Sequence, residues 1–218
     1  MGDYDAPKVV HQDILRRKGA ADLDEGKPAL VAQYLEVSKP PSAAASGGPV
    51  EIRNKGQIAD MTFPKNWKEG TTEPYTGIGH RSYNEVQLAG DKDVAVSFFY
   101  RGFPLRDDKQ AQAFHDTLGK SPHTLSSAEL QSMKEVLGDK ANPNDFNMLS
   151  ARTEALNGKN VLIVEGRYKT LQQDAYHMFV DSDGSGKNVQ EVFYQAPKDK
   201  YFAHLKEAKT AFGSIKWK

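Results

Sequence analysis

Phe146-Asn147-Met148-Leu149-Ser150-Ala151-Arg152-Thr153-Glu154-Ala155-Leu156-Asn157-Gly158-Lys159-Asn160-Val161-Leu162-Ile163-Val164 carries most of the topology in one stretch. Residues 146–156 read as a strand. Asn157-Gly158 is a strong two-residue hairpin signal, because both positions tolerate the positive φ that such a turn requires. Val161 to Val164 is apolar on both faces of its strand. A half-solvated strand would alternate, so this one is expected to be central and covered on both sides.

Working outward, residues 175–180 and 189–194 form a second strand pair, joined by the Asp/Ser/Gly run 181–188. Upstream, Ile58-Ala59-Asp60-Met61-Thr62-Phe63 alternates and is closed by Pro64-Lys65-Asn66-Trp67. Residues 80–88 and 94–100 add two more strands, the latter rich in β-branched and aromatic residues. Two helices follow. Asp107 and Asp108 stand where a helix N-terminus favours anions, ahead of Ala111, Phe114 and Leu118. Ser126-Ser127-Ala128-Glu129 has the capping-box arrangement, with Leu130, Met133 and Leu137 behind it and Gly138 ending it. Pro197 opens a last helix in which Tyr201, Leu205, Ala208 and Phe212 share a face, before Ser214-Ile215-Lys216-Trp217. Hairpin-linked strands with grouped helices predict an α+β fold: an antiparallel sheet of about six to seven strands flanked by helices, an αβα sandwich.

Residues 1–56 are expected to be a flexible N-terminal extension, and 57–218 a single α+β domain. Lys39 to Pro49 is small and Pro/Gly/Ala-rich, which buries too little apolar area to offset chain entropy. Before it, Leu30, Val31, Tyr34 and Leu35 lie on one helical face behind Pro28, a short amphipathic helix too small to stand alone. These four are the candidate partner-binding residues.

The 218 residues carry 29 Lys plus Arg and 29 Asp plus Glu, a formal net charge of zero. Nucleic-acid affinity rests on phosphate neutralisation, so zero net charge argues against that class of partner. The six Lys among residues 198–218 read as a solvated face. Cysteine is absent, which excludes disulfides, thiolate metal sites and cysteine nucleophiles. No apolar run reaches the ~20 residues of a membrane helix. The chain is expected to be a soluble monomer, cytoplasmic in preference to periplasmic or secreted, with the latter requiring a leader already removed.

No motif for catalysis, metal or cofactor binding completes itself. Asp181 and Asp183 with Gly186 begin like a calcium loop, but Val192 stands where the bidentate Glu must be. Gly186-Lys187 lacks the first Gly and the Ser or Thr of a phosphate loop, and Gly77-Ile78-Gly79 lacks a third Gly and precedes a strand. Among His11, His80, His115, His123, His177 and His204 there is no metal-ligand spacing. His177 lies on a strand, while His115 and His204 are expected at the surface or its boundary. The aromatic clusters Phe98, Phe99, Tyr100, Phe103 and Phe193, Tyr194, Tyr201, Phe202 are read as core rather than base-stacking platforms. No catalytic, metal or cofactor residues are therefore assigned.

Phe63-Pro64-Lys65-Asn66-Trp67, Asn157-Gly158-Lys159-Asn160-Val161, Val192 to Pro197, and Phe202 through Phe212 to Ser214-Ile215-Lys216-Trp217 together resemble the Mog1/PsbP-like group, over roughly 57–218. The resemblance implies an αβα sandwich and a mostly non-enzymatic family of binding and assembly proteins. It assigns no binding residue here, and residues 103–145 are an insertion without family equivalent. The expected function is non-catalytic protein binding, of adaptor, chaperone or assembly-factor type. The alternative is a small-ligand binder or enzyme, with a pocket between the sheet and the 107–138 helices lined by Tyr100, Arg101, His115 and His123.

Overall fold

A computed structural model describes residues 48–70 and 84–218, apart from the side chains of Asn84, Tyr100 and Arg101. Among the described residues there are ten strands: β1 Val50–Lys55, β2 Ile58–Phe63, β3 Trp67–Glu69, β4 Asn84–Leu88, β5 Asp91–Pro104, β6 Phe146–Leu156, β7 Lys159–Tyr168, β8 Gln173–Asp181, β9 Asn188–Pro197 and β10 Lys216–Trp217. Between β5 and β6 lie helices α1 Asp108–Gly119, α2 Ser127–Ser132 and α3 Lys134–Leu137, then a 3-10 turn at Gly138–Ala141. Helix α4, Lys198–Gly213, precedes β10.

Seven strands form one antiparallel sheet in the order β3-β4-β5-β9-β8-β7-β6. Strand β9 is inserted between β5 and β8, so the last strand of the sheet sits at its centre. The remaining three form a small sheet, β1-β2-β10. The chain is thus α+β as expected, with a second sheet in addition to the main one.

Strand alternation divides the core in two. Val161, Ile163, Tyr176, Met178, Val192 and Tyr194 face α4 and the small sheet. Leu162, Val164, Ala175, Phe179 and Val189 face Phe114 of α1, Met133 and Leu137. The doubly apolar reading of 161–164 is correct for this reason: Val161 and Ile163 serve one core, Leu162 and Val164 the other. The aromatics also pack as expected, with Phe98, Phe99, Phe103, Phe193, Tyr194 and Tyr201 buried.

The local signals act where the sequence places them. Asn157 and Gly158 have φ of 50° and 86°, the left-handed pair of a tight hairpin. Asp107 caps α1 by accepting from the Lys109 and Gln110 backbone N–H groups. Ser126 and Glu129 close a reciprocal capping box on α2. The expected single helix over 126–137 is instead broken at Met133, whose φ of −125° separates α2 from α3.

Asn66, Trp67, Asn157, Ser214 and Trp217 make closure contacts. Glu207 of α4 accepts hydrogen bonds from Asn66 Nδ2 and Trp67 Nε1, each at 2.9 Å. Ser214 Oγ accepts from the Thr62 N–H at 2.8 Å. Trp217 Nε1 donates to the Leu156 carbonyl at 2.7 Å, and Asn157 Nδ2 donates to those of Gly213 and Ile215. The C-terminus is thereby tied to β2, to the turn before β3 and to the β6–β7 hairpin.

One boundary needs correction. Val50–Lys55, expected in the N-terminal extension, is strand β1, which pairs with β2 and buries Ile52. A turn at Gly56-Gln57, with Gly56 at φ 63°, joins them. Residues 1–47, including Leu30, Val31, Tyr34 and Leu35, lie outside the described residues, as do 71–83 and the Gly77-Ile78-Gly79 run. No helix among the described residues is long and apolar enough to cross a membrane.

Candidate functional site

Strands β8 and β9 point polar residues into the α1-side core at positions where alternation demands apolar ones. His177 is wholly buried, and Glu191 is nearly so. They meet Asp139 and Lys140 from the 3-10 turn and Tyr168 from the end of β7. Lys140 Nζ lies 3.0 Å from Asp139 Oδ1 and 3.0 Å from Glu191 Oε1. His177 Nδ1 is 2.8 Å from the same Glu191 oxygen, and its Nε2 is 3.3 Å from the Tyr168 hydroxyl. A carboxylate can only accept, so the Nδ1 proton faces Glu191, while the Tyr168 hydroxyl stands between Nε2 and the Asp139 carboxylate with one proton to give. The imidazole stacks on Phe193 and Phe179 at centroid distances of 5.1 and 6.1 Å, with the Phe146 and Tyr168 rings edge-on.

Electrostatics fix the protonation states. Burial disfavours a charge on Lys140, yet the carboxylates of Asp139 and Glu191 outweigh it and raise its pKa. Burial pushes His177 down, and the Lys140 ammonium adds to this against the pull of Glu191, so the ring is neutral at pH 7. Burial, reinforced by the two nearby carboxylates, holds the Tyr168 hydroxyl far above the usual phenol range. An ammonium kept cationic is no nucleophile, and an imidazole enclosed between Glu191 and Tyr168 is no free base. The arrangement ties the 3-10 turn of the segment between β5 and β6 to the two central strands.

A second polar group lies on the same sheet face. Ser97 Oγ, both amide atoms of Gln195 and Gln173 Oε1 are buried without a hydrogen-bond partner. Gln195 stands between Ala95 and Ala175 in register, so its neighbours across the sheet are methyl groups.

A groove of about 310 Å³ opens beside the network, between α2, α3, the 3-10 turn and β6. Leu130, Leu137, Phe146 and Met148 supply its apolar wall, and Lys134 and Lys169 stand exposed at its edge. Lys140 also lines it, with its charge already committed.

Of the expected pocket residues, the side chains of His115 and His123 are described, and each bonds to different partners. His115 is half-exposed on α1 and its Nδ1 is 3.4 Å from Asp181 Oδ2. His123 bonds elsewhere: to the Ser121 carbonyl at 2.8 Å and to Glu129 at 3.1 Å, which together raise its pKa. Tyr100 and Arg101 sit at an irregularity of β5 between Phe99 and Phe103. His204, expected near the surface, is buried on α4, with Nδ1 3.5 Å from Glu207 but lacking hydrogen-bond geometry. It follows Tyr201 by three positions on a helix whose covered face is wider than the apolar spacing suggests. In the 181–188 loop, Asp181 accepts from the Gly184 and Gly186 N–H groups. Asp183 accepts from Ser185 and Asn188, which lowers its pKa to about 2. The loop's own donors occupy these carboxylates.

His177, Glu191, Asp139, Lys140 and Tyr168 were not singled out as a set by the sequence. Residues up to 52 positions apart have no spacing to read. The available signal was indirect: Glu191 and His177 interrupt apolar strands at inward positions, and a buried charge requires a partner.

The architecture is a PsbP-like fold. The solution structure of cyanobacterial PsbP (CyanoP) from Synechocystis sp. PCC 6803 superposes with a TM-score of 0.51. The match covers 82% of this chain and 98% of that one, at 14% identity, and shows the fold alone. A crystal structure of a Bacteroides thetaiotaomicron VPI-5482 protein matches more distantly, with a TM-score of 0.40 and 12% identity over 78% of this chain and 49% of that one. No protein-family model matches the chain, and no curated protein does.

Proposed function

We propose that the chain is a non-catalytic protein-binding domain of adaptor, chaperone or assembly-factor type, with the N-terminal residues Leu30, Val31, Tyr34 and Leu35 contributing to partner contact. The observation that carries this reading is the mutual engagement of the most reactive side chains. His177, Glu191, Lys140 and Asp139 direct their polar atoms at one another inside the core, where they fix the segment between β5 and β6 rather than face a substrate. The apolar helical face at 30–35, set apart by a Pro/Gly/Ala-rich stretch, suits recognition by coupled folding and binding.

The test is quantitative capture with the full chain as bait, beside a Leu30→Asp, Val31→Asp, Tyr34→Asp, Leu35→Asp variant. A stoichiometric protein partner weakened at least about tenfold by the variant, ~1.4 kcal/mol, supports the reading. An unchanged affinity removes the N-terminal residues from it.

One observation favours a small-ligand site as a second reading. Ser97, Gln173 and Gln195 offer neutral donors and acceptors that no described residue meets, and buried polar groups of this kind are rare without water or ligand. If they serve no ligand, Gln195→Leu stabilises the fold by about 1–2 kcal/mol. If they bind one, the same change abolishes binding of a neutral polar compound identified by ligand-observed NMR.

A further inference from the structure

Lys140, Asp139 and Glu191 bring one amine and two carboxyl groups together in the core, each side chain less than a tenth exposed. Lys140 Nζ is 3.0 Å from an oxygen of either acid and 5.5 Å from the centre of the Phe179 ring. His177 Nδ1 donates to the same Glu191 oxygen at 2.8 Å. One carboxylate balances one ammonium, so the second acid is in excess and also within reach of the amine. Lys140 lines the groove beside α2 and α3, which gives a small molecule released at Nζ a way out.

These are the parts of a condensation within the chain. The resting ammonium is no nucleophile, but its hydrogen-bond acceptors are bases. A proton shift from Nζ to Glu191 leaves a neutral amine beside a neutral carboxylic acid, and a low-dielectric core penalises that pair far less than it penalises separate charges. The two groups are already in contact and held in one orientation, which stands in for a high reactant concentration. Asp139 is placed to carry protons between them. The His177 N–H points at the oxygen that gains negative charge as the amine adds to the Glu191 carboxyl carbon.

We propose that Lys140 and Glu191 condense after folding into an amide bond between Nζ and Cδ, with release of water. The Nζ–Cδ bond forms and one Cδ–O bond breaks. Two of the three ammonium protons leave on that oxygen, the second by way of Asp139, which ends as it began, and the amide keeps the third. Nothing is oxidised or reduced, and no co-reactant enters. The Glu191 oxygen that stays still accepts from His177 Nδ1. The product staples the 3-10 turn at Gly138–Ala141 to β9, at the centre of the main sheet. It forms once per chain and does not depend on the protein-binding reading.

The test is the intact mass of the full chain after a day at pH 7, measured in acidic urea and followed by peptide mapping. The expected result is the loss of one water, about 18 Da, with the Lys140 peptide joined to the Glu191 peptide. A chain held in urea throughout should keep its full mass. In Asp139→Asn, where amine and electrophile both remain, the amide should form at least about tenfold more slowly. A parent chain that stays at full mass overturns the proposal. So does a lost water that maps to a cyclised Asp183-Gly184, which gives the same mass change but joins no second peptide. A loss that also occurs in urea would mean that the fold plays no part, and an unchanged rate in Asp139→Asn contradicts the role given to that carboxylate.

Discussion

Single side chains at the meeting of the 3-10 turn with β8 and β9 hold the segment between β5 and β6 in place. Lys140 is the clearest case. Lys140→Met removes the ammonium from between Asp139 and Glu191 and leaves two buried carboxylates facing each other, so a loss of about 3–5 kcal/mol is expected in urea unfolding. Gly166 is equally constrained, for steric reasons. The Phe146 ring lies over it, and an added Cβ would overlap both that ring and the Asn147 carbonyl. Gly166→Ala should cost about 2–3 kcal/mol. Gly119→Ala, where a Cβ meets nothing at the end of α1, should change stability by no more than about 0.5 kcal/mol. At this scale the sequence was least informative. Asp139 and Lys140 look like ordinary solvated residues, and only the inward-facing Glu191 and His177 betray that something must come to meet them.

Among elements, what could be read and what could not follow from how local the signal is. The Asn157-Gly158 turn, the caps at Asp107 and Ser126, and the doubly apolar Val161–Val164 are local and stand as expected. The strands β1 and β10 are not local features. Val50–Lys55 offers only Val50 and Ile52 as apolar alternation, and Lys216–Trp217 is two residues long. Both exist because β2 lies between them as a template. The insertion of β9 between β5 and β8 is likewise a long-range fact. Closure by α4 gives a testable coupling. Trp67→Phe and Glu207→Gln each weaken the 2.9 Å Trp67–Glu207 hydrogen bond. A double-mutant cycle should return a coupling of about 1 kcal/mol, since an acceptor that is charged strengthens the bond and partial burial retains it. Additive effects would mean that α4 is not fastened through this pair.

For the molecule as a whole, the buried network makes stability depend on pH in a defined direction. The His177 pKa is lower folded than unfolded, so the unfolded chain binds the extra proton first. Its contribution is complete above the ordinary histidine value of about 6.5 and is lost as pH falls through the folded value, with a slope of at most ~1.4 kcal/mol per pH unit. The partly buried His123 is shifted upward and acts in the opposite sense. The diagnostic quantity is therefore the stability of the parent minus that of a His177→Phe variant, which should shrink as pH falls from 7 to 5, whatever the absolute levels. The most direct measurement is a ¹⁵N NMR titration of the His177 imidazole in the full chain. A core network that locks the segment between β5 and β6 to the central strands predicts a neutral ring with the proton on Nδ1 and a midpoint below 6.5. A proton on Nε2 at neutral pH, or a midpoint at or above 6.5, would mean that His177 is not held between Glu191 and Tyr168 in a closed core.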